Sequence, residues 1–119
     1  MKKVLIIDDE QPILDMYSQA LKEYKISTAL TGQQGLATAI KERPDLIYLD
    51  IIMPQLNGLD VLKELKNNEE TANIPVVLLT NLPKEASAEK AKSLGATDYL
   101  VKVDFEPAEL AKKTKEVLG

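Results

Sequence analysis

Five polar residues of three types stand directly after, or at the close of, short apolar runs. Asp8 and Asp9 follow Val4-Leu5-Ile6-Ile7, and Asp50 follows Leu46-Ile47-Tyr48-Leu49. Thr80 closes Pro75-Val76-Val77-Leu78-Leu79, and Lys102 closes Tyr99-Leu100-Val101. If the runs are parallel strands, with the first central and the third beside it, Asp8, Asp9 and Asp50 meet as three carboxylates at one rim. Like charges that close repel and raise one another's pKa, so the cluster wants a cation. Ligands that are all oxygen favour a hard ion, Mg2+ before zinc or copper. A carboxylate can also attack phosphorus as a nucleophile, giving an aspartyl phosphate. That transfer needs the metal and a nearby cation to neutralise charge on the phosphoryl oxygens. Lys102 is the only candidate cation at this rim, and Thr80 can donate a hydroxyl hydrogen bond to a phosphoryl oxygen.

The elements that must position these residues follow from periodicity. Ile13, Tyr17, Ala20, Leu21 and Tyr24 recur at helical steps behind Pro12, which is tolerated in a first turn. Ile26 to Leu30 is a weaker second strand. Thr31 and Gln34 have capping-box spacing, with Leu36, Ala39 and Ile40 expected on one helical face until Pro44 ends it. Asn57 is placed to cap a helix carrying Leu59, Leu62 and Leu65 inward. Residues 67–73 are polar and read as a surface connection. Pro83 starts an alanine-rich helix closed by Gly95, and Pro107 opens a last helix with Leu110, Thr114, Val117 and Leu118 on one side. Five strands thus alternate with five helices. Continuously apolar strands imply burial on both faces, the habit of parallel sheets. Right-handed crossovers then put helices on both sides, giving a doubly wound α/β fold with its ligands outside the carboxyl ends of the strands.

Composition removes other chemistries. The chain has 119 residues, a formal charge of −4 and 45% apolar side chains, which suits one domain, residues 1–119, with an ordinary core. It has no Cys and no His, which excludes disulfides, thiolate nucleophiles, imidazole acid–base catalysis and His-ligated zinc. No apolar run approaches the ~20 residues of a membrane span, and the first run is too short for a signal sequence, so a cytoplasmic protein is expected. The negative charge argues mildly against direct binding of nucleic acid. The turn after the first strand is Asp-Asp-Glu where a dinucleotide-binding oxidoreductase needs Gly-x-Gly-x-x-Gly, and a P-loop is absent. Position 52 is Ile, where a phosphatase with an aspartate nucleophile usually has a second acid.

The sequence resembles the receiver domains of two-component response regulators over essentially its whole length. The resemblance is carried by Ile7-Asp8-Asp9-Glu10, by Leu49 to Gly58 (Leu-Asp-Ile-Ile-Met-Pro-Gln-Leu-Asn-Gly), by Leu79-Thr80-Asn81 and by Gly95 to Lys102 (Gly-Ala-Thr-Asp-Tyr-Leu-Val-Lys). It implies a flavodoxin-like receiver fold, a five-stranded parallel sheet in the order 2-1-3-4-5 with five helices. It implies that Asp50 accepts phosphate from a sensor histidine kinase or a histidine phosphotransfer protein. Asp9 would bind Mg2+ directly, Asp8 through water and Ile52 through its backbone carbonyl. Lys102 would pair with a phosphoryl oxygen, Thr80 would swing toward the phosphate, and Tyr99 would turn inward to fill the space Thr80 vacates. That shift would remodel the surface of the fourth helix, fifth strand and fifth helix, where a downstream protein or a second copy in a homodimer would dock. The protein would be a signalling phosphoacceptor with at most self-phosphorylation from a donor and slow self-dephosphorylation, and not a metabolic enzyme.

Two positions depart from the family pattern. Val103 stands where a proline in a cis peptide is usual, and a cis bond before a non-proline costs ~2.5–4 kcal/mol, so a trans bond or a rearranged loop is expected. Asn81 stands where a very small residue is usual. It either joins Ile52 and Leu82 in roofing Asp50 against hydrolytic water or caps the helix near Pro83. Glu10 reads as an acid favoured at a helix N-terminus. The lysines at 112, 113 and 115 read as a solvated face. Because the domain fills the chain, a stand-alone receiver is the first expectation. A piece of a larger regulator and a phosphorylation-independent interaction module are the alternatives.

Overall fold

The computed structural model describes all residues, Met1–Gly119. The strands are β1 (Lys3–Ile7), β2 (Lys25–Ala29), β3 (Leu46–Leu49), β4 (Val76–Thr80) and β5 (Asp98–Val101). They form one sheet in the order β2-β1-β3-β4-β5, and every pairing is parallel. The helices are α1 (Gln11–Ala20), α2 (Gly32–Glu42), α3 (Gly58–Asn67), α4 (Lys84–Ser93) and α5 (Pro107–Leu118).

The sheet separates two apolar clusters because successive strand side chains point to opposite faces. Leu5, Ile7, Ile47, Leu49, Val76 and Leu78 join Ala39, Val61, Leu62, Leu65 and Ala91 under α2, α3 and α4. Val4, Ile6, Leu46, Tyr48, Val77 and Leu79 join Leu14, Tyr17 and Leu110 under α1 and α5. In the second cluster Thr114 donates to the Leu110 carbonyl at 2.8 Å, so the buried Tyr48 hydroxyl, 2.6 Å away, donates to Thr114. Burial pushes the Tyr48 phenol up to about 12, against the Thr114 hydrogen bond.

Capping follows the sequence closely. Thr31 caps α2 by accepting from Gln34 N–H, and Asn57 caps α3 by accepting from Leu59 and Asp60. Gly95, with φ +100°, follows α4 in the left-handed region that glycine enters freely. Several expectations are corrected. Tyr24 lies past the end of α1. Ile40 is exposed, because Gly32, Gly35 and Ala39 are the α2 residues turned inward. Thr71 is fully buried within the polar 67–73 connection, where its hydroxyl donates to the Leu65 carbonyl at 2.6 Å and closes the C-terminal end of α3. Lys102 lies one residue beyond β5 in a 3-10 turn, Lys102–Asp104. The peptide before Val103 is not cis, as expected.

Lys113 is also more than a solvated charge, since it pairs with Asp98 at the start of β5. Burial is the strongest single influence on the Asp98 carboxyl and pushes its pKa up. The hydrogen bonds from Lys113 and from the Tyr99 N–H, with the charges of Lys113 and Lys84, outweigh it and hold the pKa below the ordinary value. A depressed carboxylate contributes stability above its ordinary pKa and loses it as pH falls through the folded value. Lys113→Met should therefore cost about 0.5 kcal/mol at neutral pH, the size of a partly exposed pair. The gap to the parent protein should close as pH falls below about 4. Urea midpoints at neutral and acid pH measure it; a gap that survives acidification would show that packing, not charge, is responsible.

Candidate functional site

Strand register brings the rim residues together. Ile7 pairs with Leu49, and the Asp50 N–H donates to the Ile7 carbonyl at 3.0 Å, so Asp8 and Asp50 leave the sheet side by side. The Lys102 ammonium reaches across from the end of β5 and bridges them. Its Nζ lies 2.5 Å from Asp8 Oδ2 and 3.0 Å from Asp50 Oδ2. All three side chains are buried. Burial, the largest influence, pushes the Asp8 carboxyl up, and its bonds to Lys102 and the Glu10 N–H offset this only in part. Burial also opposes the Lys102 ammonium most strongly of any single influence, but the two carboxylates together outweigh it and raise its pKa. The lysine is therefore a fixed cation.

Asp9 is exposed and takes part in no hydrogen bond. The carboxylates of Asp8, Asp9 and Glu10 offer oxygens within 4.8 Å of one another. Glu10 thus stands beside Asp8 and Asp9, and Asp50 is held to Asp8 through Lys102. Asp50 nevertheless lines the same open cleft as Asp9, Glu10, Ile52, Asn81 and Lys102. The Ile52 N–H donates to Asp50 Oδ1 at 3.2 Å, while its carbonyl accepts no hydrogen bond from the chain. Carboxylates and a free carbonyl around one cleft form an all-oxygen donor set that fits a hard divalent ion.

The loop that carries Asp50 into α3 has no slack. Gly58 donates to the Ile51 carbonyl at 2.9 Å, and a Cβ on Gly58 would lie 2.1 Å from the Asp50 carbonyl oxygen. Thr80, fully buried, ends β4, and its Oγ1 accepts a long contact from the Leu82 N–H at 3.4 Å. Tyr99 is already turned inward and is 6% exposed. Its hydroxyl donates to the Leu82 carbonyl at 2.9 Å and lies 2.7 Å from Ser87 Oγ. Sequence reasoning missed Ser87, because a serine in an alanine-rich helix carries no signal of its own.

Asn81 does not cap α4, whose N-cap is Pro83 with no side-chain hydrogen bond. Its exposed side chain lines the cleft beside Asp50 with Ile52, while Leu82 packs against the core and is not part of that lining. The surviving expectation is that Asn81 and Ile52 obstruct water at Asp50. Asn81→Ala should shorten the lifetime of an aspartyl phosphate there several-fold, timed by decay of the modified mass; an unchanged lifetime removes the role.

Comparison with known proteins matches residues 4–115 to the response regulator receiver domain. The chain is 38% identical over 119 residues to the phosphate regulon transcriptional regulatory protein PhoB of Pseudomonas aeruginosa, covering 98% of this chain and 52% of that protein. It is 35% identical to the alkaline phosphatase synthesis transcriptional regulatory protein PhoP of Bacillus subtilis, covering 98% of this chain and 48% of that one. The chain thus spans about half the length of these relatives. The solved structure of the Vibrio cholerae chemotaxis protein CheY4 superposes with a TM-score of 0.91 at 35% identity, over 99% of both chains.

Proposed function

Because the chain belongs to the response regulator receiver domain family, we propose that Asp50 is its phosphoacceptor in two-component signalling. The single observation that carries this reading is the buried Asp8–Lys102–Asp50 bridge opening on a cleft lined with free oxygen ligands. An Asp50 carboxylate oxygen forms the bond to phosphorus as the donor's N–P bond breaks, and the donor is the phosphohistidine of a sensor kinase or a phosphotransfer protein. Lys102, already fixed at this position, pairs with a phosphoryl oxygen as charge builds there. Asp9, Asp8 and the Ile52 carbonyl would hold Mg2+, which when bound supplies further neutralisation of that charge. Thr80 lies at the end of the adjacent strand, from which its hydroxyl can turn to the phosphoryl group.

Tyr99, α4 and α5 carry the response to a protein partner on the α4–β5–α5 face, or to a second copy of the chain. No helix is long and apolar enough to cross a membrane, and the proposed place of action is the cytoplasm. Val103 is exposed and leaves Lys102 within reach of both carboxylates, so the departure at that position lends no support to a phosphorylation-independent module. The test is incubation with a small-molecule phosphodonor, with and without Mg2+, followed by intact mass. One phosphoryl adduct that depends on Mg2+ is expected; no adduct under either condition would overturn the assignment.

A further inference from the structure

We propose that Ser87 is a positioning residue that holds Tyr99 inward before any phosphoryl group arrives. The proton count decides the direction of the bonds. Tyr99 has one hydroxyl proton, and it goes to the Leu82 carbonyl at 2.9 Å. The 2.7 Å contact between the two hydroxyls is then a bond from Ser87 to the Tyr99 oxygen. Ser87 and Tyr99 are both buried, so neither hydroxyl has water as an easy substitute. Without Ser87 the Tyr99 hydroxyl keeps the bond it donates to the Leu82 carbonyl but loses the one it accepts, which weakens the hold on the inward ring.

The same bonds connect the tyrosine to the phosphoacceptor rim. Leu82 uses both of its backbone groups: its N–H faces Thr80 Oγ1 at 3.4 Å, and its carbonyl accepts from Tyr99. Thr80, Leu82, Tyr99 and Ser87 thus form a chain from the end of β4 to the middle of α4. Its weakest link is the long Thr80 contact, and its strongest is the Ser87 end. The inward state is therefore anchored from α4 and not from Thr80. The resting position of Tyr99 does not rest on Asp50 being the phosphoacceptor; only its consequence for signalling does. If Asp50 is phosphorylated, movement of Thr80 acts on a ring already in place, and the new charge adjusts the 80–83 turn more than the tyrosine rotamer.

Fluorotyrosine NMR tests this directly. The chain has four tyrosines and no tryptophan, and Tyr99→Phe assigns the resonance of interest. Without any phosphodonor, the Tyr99 signal should be shielded from a neutral, soluble paramagnetic chelate. In Ser87→Ala it should broaden several-fold more, while Tyr17, Tyr24 and Tyr48 stay unchanged. Asp50→Asn should leave Tyr99 shielded, which separates this result from the outcome of the phosphodonor experiment. A Tyr99 signal open to the chelate in the parent protein, or one equally shielded in Ser87→Ala, overturns the proposal.

Discussion

Lys102→Met should destabilise the fold by about 3–5 kcal/mol at neutral pH, the cost of leaving buried charges without their partner. Lys102 is the cation shared by Asp8 and Asp50, and all three side chains are buried. Its removal also takes away the hydrogen bond and the charge that now hold the Asp8 pKa down, so burial then acts on Asp8 unopposed except by the Glu10 N–H. The folded-state pKa of Asp8 rises further above its unfolded value. A raised carboxylate binds its proton more readily in the folded state, so the variant should gain stability as pH falls from neutral toward the ordinary carboxylate range. The deficit against the parent protein should be largest at neutral pH and shrink on acidification. Added Mg2+ should recover part of it, because a dication near the carboxylates replaces the lost charge. Urea unfolding at two pH values, with and without Mg2+, measures all three effects. A deficit below about 1 kcal/mol would mean that the bridge behaves as an exposed pair.

Asp50→Asn should abolish the phosphoryl adduct completely under conditions that modify the parent protein. The amide oxygen can still accept from Lys102, so the variant should fold. It also removes one charge from a site with two buried carboxylates and one ammonium. Its stability without Mg2+ should therefore equal or exceed that of the parent. Asp8, Asp9 and Glu10 remain in the variant, which makes it a test of which acid reacts: a full adduct in Asp50→Asn would move the nucleophile to that group. Intact mass before and after the phosphodonor, alongside a urea midpoint, separates loss of chemistry from loss of fold.

Much of this architecture is legible in the residues. Apart from β2, the strands are short, largely apolar on both faces and bounded by turn residues, and burial on both faces is the habit of a covered parallel sheet. Asp8, Asp50, Thr80 and Lys102 follow as rim residues because each closes such a run. The partners of the rim residues are less legible. That Lys102 bridges Asp8 and Asp50 depends on a reach from the end of β5 past β4 and β3 to β1, which no local pattern encodes. Ile40 fits an apolar stripe equally well in either of two rotations of α2; the close contact of Gly35 with Ile7 decides between them. Thr71 and Ser87 are small polar residues whose burial is set by a carbonyl or a hydroxyl far along the chain. Lys113 resembles its neighbours Lys112 and Lys115 until Asp98 is placed opposite it.

The backbone of the sheet acts as an insulating wall between two compartments. Leu82 and Tyr99, the core members of the Thr80–Ser87 chain, belong to the cluster under α2, α3 and α4. Val4, Leu14, Tyr17 and Leu110 lie on the other side. Substitutions at Val4 and Leu14, which lie across the sheet from that chain and outside the α4–β5–α5 face, should therefore change heat tolerance more than they change the response.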